Sequence, residues 1–205
     1  MDLKQNTPVL SAYLAAGDVI DHEHPRVRAT AAALRADAPD VYAYAKAAFE
    51  FVRDTILHPA DSGDGRSGTD LPPTGGRERV TWRASDVLGE GVGICYAKAH
   101  ALAALLRAEG VPTALCYQNL GVVHGLVAVR LPGSERWVRQ DPRGNKPGVD
   151  AQFRTDREQL AFRPRPEFNE LDYPVLFAEP HPAVLQCLQQ AVDRPHLWRT
   201  LPTAL

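Results

Sequence analysis

Apolar residues recur along this chain with two different rhythms, and the changes of rhythm mark out its elements. An alanine-rich stretch from residue 26 to 35 predicts a first helix. Beyond Ala38-Pro39, the residues Val41, Tyr44, Ala48, Phe51, Val52 and Ile56 recur at three- and four-residue spacing. That is one face of an amphipathic helix, with Pro39 near its first turn. Helical pattern resumes at Ser85, a good N-cap residue. It is clearest from Cys95 onward, where Leu102, Leu105, Leu106 and Ala108 form a narrow stripe. Gly110 suits the position just past the helix end, and Pro112 prevents continuation. The period then shortens to that of strands over residues 113 to 117, 124 to 131 and 136 to 140, with Pro132-Gly133 as the turn between the last two.

Two stretches carry neither rhythm. Residues 58 to 79 hold Asp61, Ser62, Gly63, Asp64, Gly65, Gly68, Pro72, Pro73, Gly75 and Gly76 and almost nothing apolar. They are expected to form a disordered insertion or a mobile flap over a neighbouring site. Residues 163 to 182 contain Pro164, Pro166, Pro174, Pro180 and Pro182, which predicts an extended segment wrapping the surface. A short helix is expected over residues 183 to 192. No internal repeat is present. The 205 residues are expected to form one domain, with a core over about residues 26 to 160.

Composition narrows the function classes. A hydrophobic fraction of 44% and a charged fraction of 23% are those of an ordinary globular protein. The net charge of -2 argues against binding driven by nucleic-acid phosphates. No apolar run is long enough to span a bilayer, and the start of the chain lacks a signal-peptide core, so a cytoplasmic location and no membrane partner are expected. Three cysteines, none in a C-x-x-C spacing, give neither a disulfide framework nor a structural zinc site.

One cysteine stands where chemistry is favoured. Cys95 follows Gly91-Val92-Gly93-Ile94 at the start of the predicted helix. The unpaired N–H groups and positive dipole end of a first turn stabilise a thiolate and a developing oxyanion. Gly91 and Gly93 allow close substrate approach and unusual backbone angles. His124 opens one strand of the predicted hairpin and Asp141 closes the other. A two-residue loop places His124 directly opposite Asp141, and a four-residue loop places Asp141 opposite Leu126, on the face His124 shares. A three-residue loop separates the two faces. A thiol, an imidazole and an orienting carboxylate are the parts of a nucleophilic catalytic site. Taken singly, each residue also has a plain reading: a small buried thiol, a polar strand end and a turn aspartate before Pro142.

Other candidates carry less. His100 lies five residues after Cys95, about 140° around the helix. His22-Glu23-His24 reads as a solvated turn rather than a metal site, and Cys116 and Cys187 read as core thiols. No phosphate-binding or dinucleotide glycine motif is present.

The stretch from Ser85 through Gly93-Ile94-Cys95-Tyr96 to Leu105-Leu106-Arg107-Ala108-Glu109-Gly110-Val111-Pro112-Thr113 resembles the nucleophile helix of the transglutaminase-like superfamily. His124 with Val127-Ala128-Val129, then Trp137 and Asp141-Pro142, resembles that family's histidine and aspartate strands. The likeness spans roughly residues 40 to 150. It implies an α+β papain/transglutaminase-like fold, in which N-terminal helices precede a nucleophile helix packed on an antiparallel β-sheet. It implies Cys95 as nucleophile, His124 as base and acid, and Asp141 as orienter, in amide hydrolysis, deamidation or amine cross-linking through a thioester. The chain departs at Leu126, where many members carry an aromatic residue, and at Tyr96-Ala97-Lys98, where many bacterial members carry an aspartate or another charged residue. Trp82 and Gln118 stand open as the family's additional oxyanion donor, each with packing or a sheet edge as the plain alternative.

The expectation is a bacterial-type cysteine hydrolase or acyltransferase acting on a peptide or other amide, without metal or organic cofactor. Hydrolysis is preferred to cross-linking because no second module for recruiting an amine is evident. The rival classes are a non-catalytic interaction module retaining the fold, and a redox-sensing thiol at Cys95, which lacks an adjacent resolving cysteine. Substrate and oligomeric state stay open.

Overall fold

The structure is a computed structural model that describes residues 1–61 and 79–205. Most of the flap expected over residues 58 to 79 lies outside the described residues.

Helices α1 (Pro25–Ala36), α2 (Val41–Thr55) and α3 (Ala84–Glu90) form one layer around α4 (Cys95–Ala108). Asp40, not Pro39, starts α2: its Oδ1 accepts the Ala43 N–H at 2.8 Å, and Pro39 lies before the cap. Ser85 likewise is not a cap. It lies buried inside α3, whose preceding residue is Arg83, and its own N–H donates to Asp21 Oδ1 at 3.0 Å. A carboxylate from an earlier segment therefore fills the role expected of the serine.

Helix α4 is more deeply placed than its leucine stripe implies. Every residue from Tyr96 to Arg107 is buried, because the first three helices cover one side and strands β2 (Thr113–Asn119) and β3 (Val123–Val129) cover the other. Burial of Leu102, Leu105 and Leu106 stabilises the fold by about 1.5–3 kcal/mol each. The polar side chains carried inward are satisfied. Arg107 donates to the carbonyls of Thr113, Ala15 and Ala178, and Lys98 to those of Arg53 and Ile56.

Four strands form an antiparallel sheet in the order β4 (Val138–Gln140), β3, β2, β5 (Leu171–Asp172). Leu115, Tyr117, Val127 and Val129 pack into the core with α4. Ala114, Cys116, Leu126 and Ala128 face a smaller cluster with Tyr13, Trp137 and Leu176. Both faces are covered, so these strands read as continuous apolar runs rather than alternating ones.

The proline-rich tail is less of a wrapper than expected. It contributes β5 to the sheet, and β6 (Val175–Leu176) pairs in parallel with β1 (Lys4–Gln5) near the start of the chain. It then forms α5 (Pro182–Gln190) and a further helix, α6 (Arg194–Thr200), which periodicity did not reveal. No helix among the described residues is long and apolar enough to cross a membrane.

Candidate active site

The site lies where the start of α4 meets the start of β3. Helix α3 ends at Gly91, whose φ of +65° is the left-handed conformation glycine adopts without cost. The chain then runs through Gly93 to Cys95. Gly93 serves packing rather than substrate approach: a Cβ there would lie 2.9 Å from the Cβ of Ala97. The residue before α4, Ile94, makes no side-chain cap, so the first-turn N–H groups of Cys95, Tyr96 and Ala97 have no intrahelical acceptor.

Tyr96 joins helix to strand. Its hydroxyl donates to the Val123 carbonyl at 2.5 Å, and its ring lies over Gly125, where a Cβ would come within 2.6 Å of it. This close approach brings Cys95 beside His124, which is buried.

Asp141 lies one residue beyond β4. The turn forms as the sequence predicts: the Ser134 N–H donates to the Leu131 carbonyl at 3.1 Å, and Gly133 has a φ of +80°. The ladder, however, pairs Val129 with Val138 and Val127 with Gln140. This is the register of the longer of the two productive loops, which sets Asp141 level with Leu126 and on the face of His124. His124 Nε2 donates to Asp141 Oδ2 at 2.9 Å. The same oxygen accepts the Ala161 N–H at 3.1 Å, and Oδ1 accepts the Arg143 N–H at 3.1 Å. Three donors thus fix the orientation of a fully buried carboxylate.

With Nε2 engaged by Asp141, the Cys95 sulfur, which lines the same cleft, lies close enough to the ring to act on its charge. Burial works against a charged ring here. The Asp141 carboxylate and the Cys95 sulfur outweigh it and hold the imidazolium to about pH 10. The Phe162 ring meets that of His124 edge-on at 5.2 Å between centroids.

Cys95 and His124 open onto a cleft of about 620 Å³. Its walls include His58, Arg143, Phe162, Arg163, Trp198 and Leu201. Tail residues and α6 therefore build much of it. Arg143 pairs with Asp61, which Lys146 Nζ also reaches at 2.8 Å.

The other sequence candidates lie elsewhere. Trp82 does not line the cleft; its carbonyl accepts from His100 Nδ1 at 2.8 Å. Gln118 pairs with His124 across the ladder, but its amide donates to Asp172 Oδ1 at 2.8 Å and it lines a separate cavity of about 240 Å³. That cavity also holds Arg139, bonded to Glu158 and Asp172. Cys116 is buried, and burial pushes its thiol well above the ordinary range. His22 Nε2 contacts the Leu14 carbonyl, and no group of three or more metal-ligating side chains is found among the described residues.

His58 was missed by sequence reasoning. Its signal was slight: a histidine immediately after an amphipathic helix, at the head of a glycine-rich stretch.

No curated protein matches the chain significantly. Among solved structures, a candidate cysteine protease from Cytophaga hutchinsonii is similar at 18% identity and a TM-score of 0.49. The match covers 67% of this chain and 43% of that one, so this chain spans less than half its length. The family model of the transglutaminase-like superfamily matches residues 28–142, more than half the chain. This α+β chain, with its helix-borne cysteine packed against an antiparallel sheet, belongs to the transglutaminase-like superfamily and has a cysteine-enzyme fold.

Proposed function

We propose that the protein is a cysteine-dependent hydrolase or acyltransferase acting on an amide bond, with Cys95, His124 and Asp141 as its catalytic triad. The observation that carries this reading is the His124–Asp141 hydrogen bond, with the ring lining the same cleft as Cys95 at the start of a helix.

Cys95 Sγ attacks the substrate carbonyl carbon and forms the C–S bond. The first-turn N–H of Cys95 stabilises the oxyanion. As the intermediate collapses, the C–N bond breaks and His124 transfers its proton to the leaving amine. Neutral His124 then takes a proton from water, or from a second amine, that attacks the thioester. Collapse of this second intermediate releases the acyl group and restores the thiolate–imidazolium pair. Asp141 holds the ring orientation throughout and balances its charge. A cleft of about 620 Å³ has room for a peptide or another extended amide.

The test is alkylation by iodoacetamide as a function of pH, read for each cysteine by peptide mass spectrometry, on wild type and His124→Ala. Cys95 is expected to react far faster than Cys116 and Cys187. The advantage should vanish in His124→Ala. A Cys95 no faster than the other two overturns the triad and makes a non-catalytic interaction module the better account. A positive result leads to a substrate screen of peptides, glutamine amides and thioesters, with Cys95→Ala as the inactive, folded control.

A further inference from the structure

The site as described supplies one oxyanion donor from the backbone, and a second stands in the cleft wall. We propose that His58 is that donor, its Nε2–H hydrogen-bonding the oxyanion formed when Cys95 attacks a carbonyl. The inference rests on the reading of Cys95 as nucleophile.

Position is the first argument. The Leu57 N–H donates to the Gly91 carbonyl at 2.8 Å, and the Gly93 N–H donates to the Leu57 carbonyl at 3.0 Å. These bonds lay Leu57 alongside Val92 as a parallel bridge. His58 therefore follows a residue pinned to the segment that leads into Cys95. Lys98, one turn into α4, donates to the Ile56 carbonyl at 2.5 Å and holds the same segment from below. The His58 ring is buried, packs near Trp198 and lines the cleft that Cys95 and His124 line.

Tautomer is the second. The Ala60 N–H donates to His58 Nδ1 at 3.2 Å, so Nδ1 carries no proton. A histidine carries at least one, which must then be on Nε2. Burial and the neighbouring Arg143 guanidinium also disfavour the charged ring. His58 therefore offers a neutral N–H donor and no free lone pair. It is unsuited to act as a base, and a metal would need the nitrogen that bears the proton. Nε2 has no hydrogen-bond partner among the described residues and is accessible from the cleft. A preformed, unpaired donor in the wall of the cleft that the nucleophile lines is the arrangement that stabilises charge appearing only during reaction.

The experiment compares two reactions of one thiol. Acetylation of Cys95 by p-nitrophenyl acetate passes through an oxyanion, whereas alkylation by iodoacetamide displaces iodide at a saturated carbon and does not. Both rates are measured on wild type, His58→Ala, His58→Phe and His58→Gln, with Cys95→Ala as the blank. His58→Phe keeps the ring packing without a donor, and His58→Gln restores an N–H donor. Acetylation is expected to fall by about a hundredfold in the Ala and Phe variants and to recover substantially in Gln. Alkylation should stay within about twofold throughout, which also reports an intact site. Acetylation unchanged in Ala and Phe overturns the assignment of His58 alone. Acetylation and alkylation falling together overturn it in favour of a structural role. A wild type whose Cys95 is not acetylated overturns the nucleophile reading, and this inference with it.

Discussion

Asp141 receives the Nε2–H of His124 although the two are not ladder partners: Asp141 stands one residue past the end of its strand, diagonal to the histidine across a shared face. Diagonal neighbours on one face lie within reach of side chains of this size. The Ala161 and Arg143 N–H groups then aim the carboxylate. Asp141→Asn keeps the volume and one of the two oxygens that accept backbone N–H groups, but removes the charge and disturbs the imidazole tautomer. It should lower acylation of Cys95 by about 10³- to 10⁴-fold while the protein remains folded. Stopped-flow acetylation kinetics together with circular dichroism test this. NMR titration of His124 in the variant should show its pKa moved down from about 10.

Two buried histidines should bend the pH dependence of stability in opposite directions. His124 has a folded pKa raised to about 10 from 6.5, chiefly by Asp141 working against burial. Its contribution is fully present below pH 6.5 and is lost as pH rises toward 10. His100 is pushed down to about 4, first by burial, with its bond to the Trp82 carbonyl opposing. Its contribution is present above pH 6.5 and is lost as pH falls toward 4. Buried Lys98, pushed down to about 7, contributes with the opposite sign on the alkaline side, so guanidinium unfolding from pH 4 to 10 is compared between wild type and each variant. The stability difference between wild type and His124→Gln should shrink only as pH rises above 6.5, and that for His100→Gln only as pH falls below it. A difference that shrinks on the wrong side in either variant overturns the assignment.

Gly125 is the contact through which α4 and β3 approach. A methyl group there would meet the Tyr96 ring at 2.6 Å and the Tyr96 Cα at 3.3 Å, so backbone as well as side chain must yield. Gly125→Ala should cost about 1–3 kcal/mol in chemical denaturation. It should also slow alkylation of Cys95 by parting it from His124. A variant that is destabilised but alkylates at the wild-type rate would show that Tyr96 does not set the spacing of thiol and ring.

Much of this was legible in the order of residues. Cys95 at the start of a helix that stops at Gly110-Val111-Pro112 is a local signal, and the structure keeps it. The hairpin bearing His124 and Asp141 was readable from its valine-rich run and Pro132-Gly133, but the choice between two registers was not. Arg136 and its neighbours follow the turn without joining the ladder, and only the packing of Trp137 against Tyr13 and its bond to Gln5 fixes where pairing resumes. The cap of α3 failed as a prediction because Asp21, far away in sequence, took the role expected of Ser85. His58 and Trp198 were invisible for the same reason. What makes them part of the cleft is contact across most of the chain, and nothing in their immediate neighbours encodes that.

The cleft wall also imposes an order on synthesis. Cys95, His124 and Asp141 are all made before the segment that encloses them: Phe162, Trp198 and Leu201 follow, and the Val123 N–H awaits the Pro202 carbonyl. A chain still on the ribosome therefore carries its thiol and imidazole without the surface that completes their cleft. Strand β2 likewise has one edge unpaired until Leu171 and Asp172 emerge. The enclosure follows the groups it encloses, so a nascent chain exposes Cys95 and His124 before the cleft around them has formed.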